Sequence, residues 1–328
     1  MSASASRLKA ILGIAVLIAV PWIIRDRYFL HLLITAGIFV ILTSSWNLLA
    51  GFAGLLNLGH AAFYGAGAYA SALLAIKLGL TPWIGLICGG LVAGVFGFLL
   101  GIPSLRLSGP YLAITTIGFA EILRMVAMNW VSLTRGSLGL YGIPPLTAIR
   151  LWPGVRIDFY SERNMYYILL LLLFATIFCF RRLTRSEFGL TLRALREDEI
   201  AAESIGADSN RYKLTVFTIS AFFAGVAGAF FAHYQRLVSP DTIGLSETFT
   251  ILTMTVLGGL GTLTGPILGA VLLTFLSEGL RFLEDMVKID VRMVIYGLLL
   301  IVTMLFMRNG VMGLLTRVRD SVLSREKG

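Results

Sequence analysis

Apolar and polar positions alternate in long blocks along this chain. Ten apolar stretches, at about residues 8–24, 28–49, 57–76, 82–101, 110–130, 164–180, 214–235, 247–262, 264–283 and 291–307, are separated by short polar connectors and two longer ones. Each is long enough for about 20 residues of helix across a ~30 Å hydrocarbon layer, and none shows the every-other-residue alternation of a barrel strand. Lipid leaves only helices and closed barrels viable, so the pattern predicts an all-α integral membrane protein with about ten transmembrane helices in a single polytopic domain, 1–328. The first stretch follows Arg7 and Lys9 and runs through Pro21 and Trp22 with no small-x-small cleavage site before Arg25, so it reads as a retained span.

The two longer connectors are 131–163 and 181–213. With both termini in the cytoplasm, the count of crossings places 131–163 outside as an external loop, 181–213 inside, and 308–328 inside as a basic tail. Dense arginine clusters support that assignment: Arg181, Arg182 and Arg185 directly follow a span, and Arg308, Arg317, Arg319, Arg325 and Lys327 lie in the tail. The external loop's Arg135, Arg150, Arg156 and Arg163 are spread out and weigh less. Five spans on each side of the external loop give the parity that an inverted 5+5 repeat requires, although the two halves share no evident sequence identity.

Composition narrows the class. Of 328 residues, 57% are hydrophobic and 14% charged, and the formal charge is +9. That balance fits basic loops at an anionic leaflet and needs no nucleic acid. Cys88 and Cys179 sit inside apolar stretches, which predicts neither a disulfide nor a metal site. His31, His60 and His233 are scattered, and no zinc-protease helix, nucleophile elbow or phosphate loop is present, so the chain carries no catalytic residues and no ATP site of its own.

Between Gly189 and Gly206, Ala194, Leu195, Ala201, Ala202 and Ile205 recur at helical spacing, with Arg193, Arg196, Glu197 and Glu203 off that face. This predicts one short amphipathic helix with an Arg193–Glu197 pair at i, i+4. A helix so short is marginal alone, so its small-residue face of Ala201, Ala202 and Ser204 is expected to dock on a partner; the plainer reading is a solvated connector.

Two glycine-rich interruptions break the apolar pattern. Ala50–Ala70 (AGFAGLLNLGHAAFYGAGAYA) also carries Asn57 and His60, and reads either as a tight turn before a small-residue packing helix or as a broken segment lining a path. Leu257–Ala270 (LGGLGTLTGPILGA) marks a sharp turn or a discontinuous helix. Small-residue stripes on the fourth stretch (Gly85, Gly89, Gly90, Gly94, Gly97, Gly101) and the seventh (Ala221, Gly225, Gly228, Ala229, Ala232) read as helix interfaces. Glu121 and Arg124 share a face in the middle of the fifth stretch. An isolated charge there costs roughly 2.5–3.5 kcal/mol, which predicts an ion pair turned to the bundle interior, with gating as the alternative.

Five ordered segments, GFAGLLNLGHAAFYGAGAYASALLA (51–75), TTIGFAEILRMVAMNW (115–130), RSEFGLTLRALREDEIAAESIGAD (185–208), FFAGVAGAFFAHY (222–234) and GGLGTLTGPILGAVLL (258–273), closely resemble the permease family of high-affinity branched-chain amino-acid ABC importers, its M-type in particular. The resemblance implies the ABC-importer permease fold in the cytoplasmic (inner) membrane. It implies a second permease subunit, two cytoplasmic ABC ATPases that bind the ATP, and an external substrate-binding protein. The cargo it implies is leucine, isoleucine or valine, with urea, amides or another small amino compound as the alternative, and an ion-coupled secondary transporter as a more distant one. It places the ATPase-coupling helix on Arg193, Arg196, Glu197, Asp198, Glu199, Ala201, Ala202, Glu203, Ser204 and Gly206. The translocation path is assigned to Asn57, His60, Tyr64, Glu121 and Arg124. Arg135 and Arg308 depart from the family pattern, which has a small residue and a proline there.

Overall fold

The structure, a computed structural model, describes residues 13, 15–23, 26–104, 107, 109–147, 149–152, 155–157, 161–287, 292–306 and 310–313. A helix occupies most of each of the ten apolar stretches where they are described: α1 (15–23), α2 (Arg27–Asn47), α3 (His60–Lys77), α4 (Pro82–Ser104), α5 (Pro110–Asn129), α7 (Glu162–Arg185), α10 (Ser209–Gln235), α11 (Leu245–Gly258), α12 (Gly265–Val287) and α13 (Arg292–Phe306). Three short helices lie between them: α6 (Val131–Thr134), α8 (Glu187–Glu197) and α9 (Glu199–Ser204). Six helices among the described residues are long and apolar enough to cross a membrane. The helix α11 has 14 residues, and α12 ends in the charged run from Glu278 onward, which lowers their rank as spans by length or composition alone.

The order of burial shows the layers. Of the most apolar window of α2, 83% is buried, against 28% for α5 and for α7. Helix α2 therefore runs through the middle, with its residues Ile34, Ile38, Ile41, Leu42 and Trp46 in the main core, and α5 and α7 lie at the periphery.

The small-residue stripes are interfaces, as their spacing predicts. Gly225 of α10 faces Ala93 and Gly90 of α4, and Gly97 of α4 faces Ala221 of α10. On its other side α10 meets α3, where a Cβ on Gly228 would overlap the Tyr64 carbonyl. Backbones this close gain dispersion contacts that larger side chains would hold apart.

The fold is not wholly helical. Within 131–157 lie β1 (Leu140–Tyr141), β2 (Ile149–Trp152) and β3 (Val155–Ile157), and β4 (Leu237–Val238) follows α10. Strand β1 pairs antiparallel with β4, with Leu140 opposite Val238, and β2 pairs with β3. The long connector is thereby fastened across the ends of α3, α4 and α10. His233 shares its ring nitrogens between the Ser71 hydroxyl (2.8 Å) and the Pro144 carbonyl (2.7 Å), and the Trp83 indole donates to the Thr147 carbonyl (3.1 Å). Arg135 adopts φ +62° and lays its guanidinium over Tyr141 (4.3 Å), so the departure from the family pattern is absorbed by a turn and a cation–π contact. Arg308 and most of the basic tail lie outside the described residues.

Both glycine-rich interruptions are breaks in helix. The last turn of α2 widens to a π-turn over Leu48–Phe52, the chain runs irregularly to Gly59, and α3 starts at His60. Helix α11 ends at Gly258, Gly259 and Gly261 take positive φ (+124° and +74°), and α12 starts at Gly265. The second interruption is therefore a sharp turn between two helices.

Candidate functional site at the elbow and the two breaks

The predicted single amphipathic helix is two helices. Asp198 is extended (φ −153°, ψ 106°), ends α8, and accepts a hydrogen bond from the Ala201 N–H (3.0 Å) as the N-cap of α9. Gly206, at φ +96°, ends α9, and Asp208 caps α10 by accepting from the Arg211 N–H (3.1 Å). The result is a bent elbow between α7 and α10. A carboxylate that caps a helix competes with the helix running through it, and here the cap prevails.

The elbow has an inner and an outer side, and several predicted docking residues lie on the inner one. Leu192, Leu195 and Ala202 are buried, and the Phe188 ring stacks on Tyr212 (5.0 Å between centroids). Glu199 accepts from the Lys213 ammonium and the Ser209 hydroxyl, each at 2.5 Å, and so joins α9 to α10. Burial alone would raise its pKa, but these two donors outweigh it and hold the carboxyl below the usual glutamate range. Arg193 lies over the Phe52 ring (5.2 Å), which replaces the expected pair with Glu197. Ile205, placed on the packed face by the periodicity, points outward because the break at Asp198 rotates α9 relative to α8.

The outer side exposes Ile200 (79%) and Ile205 (85%), with Ala201, Glu197, Glu203 and Ser204 around them. Two branched aliphatic side chains thus stand in the open on a polar segment.

Arg196 connects the elbow to both breaks. Its guanidinium donates to the Gly51 carbonyl in the π-turn (2.5 Å), and its Nη1 lies 3.3 Å from where a Cβ on Gly261 would sit. The two turns are joined to each other by Asn47, which sequence reasoning missed. Its amide donates to the Thr262 carbonyl and accepts from the Gly261 N–H, both at 2.9 Å, in a site where Asn47 is 2% exposed. Gly51 is required beside it, since a Cβ there would sit 2.5 Å from the Gly261 nitrogen. The elbow, the end of α2 and the α11–α12 turn thus form one hydrogen-bonded unit.

The predicted path residues fall in two places. Asn57, His60 and Tyr64 are together and buried, the first two at 0% exposure. The Trp46 indole donates to the Asn57 carbonyl (2.6 Å), His60 Nε2 meets the Ser45 hydroxyl (2.9 Å), and the Asn57 side chain accepts from the Gly59 N–H (2.9 Å). Thr116 and Thr248 accept from the N–H groups of Leu58 (2.9 Å) and Ala61 (3.2 Å). The bonds to the Asn57 carbonyl and from the N–H groups of Leu58, Gly59 and Ala61 satisfy backbone groups left without helical partners at the break, the condition under which irregular backbone persists at membrane depth. Tyr64 packs on Phe231. Glu121 and Arg124 do form their ion pair, at 2.6 and 2.9 Å, but Glu121 lies on the outward side of α5, in a shallow groove with Gly118, Met125 and Asn129. The interior was expected because pairing in a bundle lowers the cost of charge; the bidentate contact supplies much of that relief locally.

Among the described residues no group of three histidine, cysteine or acidic side chains is placed to hold a metal ion.

Known proteins supply the class. Residues 28–304 match the model of the family described as branched-chain amino acid transport system / permease component. The high-affinity branched-chain amino acid transport system permease protein LivM of Salmonella typhimurium is 39% identical over 93% of this chain and 75% of its own length, and the LivM of Escherichia coli is 38% identical over the same shares. The LivH permease of Salmonella typhimurium is 26% identical over 84% of this chain and 91% of its own. With its apolar helices and these relatives, the chain is a multi-pass membrane protein, and it belongs to the branched-chain amino acid transport permease family.

Proposed function

We propose that this chain is the M-type permease subunit of an ATP-driven importer of leucine, isoleucine and valine. It contributes no catalysis. A second permease completes the pathway along the outward side of α5, two ATPases bind and hydrolyse ATP in the cytoplasm, and an external binding protein delivers the cargo. Both termini and the elbow face the cytoplasm, in the inner membrane.

The observation that carries the reading is the elbow. Its outer side offers Ile200 and Ile205 to a partner, and its inner side is tied through Arg196 to the Gly51 carbonyl and so to the α11–α12 turn. Movement of an ATPase against the outer side is then passed to the end of α2 and to the breaks at 53–59 and 259–264. The buried cluster of Ser45, Asn57 and His60 sits directly behind the first break and opens or closes with it. Glu121 and Arg124 keep the second permease's contact face polar at mid-membrane.

The test is the double substitution Ile200→Glu/Ile205→Glu. Both side chains are largely exposed, so the fold is expected to hold. Burying two such side chains in a groove contributes about 3–6 kcal/mol, enough for roughly a 100-fold or greater loss of ATPase association. Unchanged co-purification of the ATPases with fully coupled leucine uptake would refute the coupling assignment.

A further inference from the structure

We propose that the outward face of α7 binds one anionic phospholipid of the leaflet on the elbow side, with its acyl chain along the helix and its phosphate among Arg181, Arg182 and Arg185. The face is continuous. Leu171, Ala175, Phe178, Arg182 and Arg185 follow one another at i+4, i+3, i+4 and i+3, and all five are exposed. Leu171 and Phe178 are each 68% exposed. Phe178, the three arginines and Ser186 line one shallow groove at the end of the stripe.

The length of this stripe matches one leaflet. From Leu171 to Arg182 is about 16 Å at 1.5 Å per residue, against about 15 Å for half of a hydrocarbon core. An acyl chain lying along Leu171, Ala175 and Phe178 therefore ends where the guanidiniums begin.

The charge there is unbalanced. Among the described residues none of the three guanidiniums makes an ion pair or hydrogen bond with another group of the chain. The carbonyl end of α7 supplies only about half a negative charge and Glu187, two residues past Arg185, at most one more, which leaves the cluster net positive. Guanidinium forks match phosphate oxygens in pairs, and an anionic leaflet is the large source of such groups at this depth. The same three residues satisfy the usual cytoplasmic excess of positive charge, but that rule asks for no groove and no aligned apolar stripe.

The experiment is native mass spectrometry of the complex purified from its own membrane in mild detergent. It is titrated with palmitoyl-oleoyl phosphatidylglycerol, with the matched phosphatidylcholine, and with inorganic phosphate alone. The wild type is expected to keep one phosphatidylglycerol in preference to phosphatidylcholine, and phosphate alone is not expected to displace it. R181Q/R182Q/R185Q is expected to lower retention about 100-fold, at about fivefold for each charge. R181K/R182K/R185K, which preserves charge and topology, is expected to keep most of it, so a misfolded variant is recognised. Equal retention of the two lipids, retention by the glutamine variant, displacement by phosphate alone, or loss of a protein subunit in place of lipid would each overturn the proposal. None of these readouts depends on transport, so the proposal and the importer reading can fail separately.

Discussion

Replacing Asn47 tests whether the two broken segments act as one unit. Its amide makes two hydrogen bonds at 2.9 Å across 214 and 215 positions of sequence, and it is 2% exposed. Asn47→Ala leaves the Gly261 N–H and the Thr262 carbonyl without partners. Each unmet group costs about 1–3 kcal/mol, so the loss is about 2–6 kcal/mol. Asn47→Asp keeps the acceptor for Gly261 but sets a carboxylate oxygen against the Thr262 carbonyl and buries a charge, and it is expected to cost at least as much. Gly51→Ala pushes a methyl group into the same amide. Residues sharing one contact do not add, so the Asn47→Ala/Gly51→Ala double variant should lose less than the sum of the single losses. Heating detergent-solubilised protein and following the monodisperse fraction reads the effect, at roughly 2 °C per kcal/mol for a chain of this size. A midpoint within about 1 °C of wild type for Asn47→Ala, or additive losses in the double variant, would refute the reasoning.

Two other sites test separate parts of the fold. Gly228→Ala drives a methyl group into the Tyr64 carbonyl across the α3–α10 interface, an overpacking that costs about 1–3 kcal/mol, while Gly279→Ala meets nothing within 4 Å and should be neutral or stabilising by up to about 1 kcal/mol; equal thermal midpoints for the pair would contradict the packing. Glu199→Gln removes a carboxylate whose pKa the folded state lowers. Its contribution is therefore present above the ordinary value of 4.5 and is lost as pH falls through and below that value. Because the Glu199 side chain is 42% exposed the effect is small, and thermal midpoints of variant and wild type should differ at pH 7 and converge near pH 3; a gap that widens on acidification would contradict the assignment.

Much of this architecture is legible in the sequence, and the parts that are not share a cause. Long apolar runs, glycine-dense breaks and small-residue stripes are local patterns, and each reports its own physics: transfer to lipid, helix interruption and close approach. Three features depended on tertiary contact. Arg196 reads as a surface charge until Gly51 is placed beside it. Asn47 reads as one polar residue at the end of an apolar run, yet it joins turns more than 200 residues apart. The β1–β4 pairing depends on two-residue strands far too short to announce themselves. The break at Asp198 was within reach, since an acidic residue followed by Glu199 marks a helix start, but the uninterrupted charge pattern favoured one helix over two. The path residues divide for a related reason. Asn57 and His60 answer to a broken backbone, whereas Glu121 and Arg124 answer to each other across one turn of α5.

The most direct test of the central claim is ATP-dependent uptake by the complex purified from its native membrane and rebuilt in liposomes with its binding protein outside. The account predicts that a second permease and two ATPases accompany the tagged chain, that radiolabelled leucine enters only with ATP on the ATPase side, and that Ile200→Glu/Ile205→Glu abolishes entry while the chain remains folded. Uptake by this chain alone, driven by an ion gradient and indifferent to ATP, would contradict it.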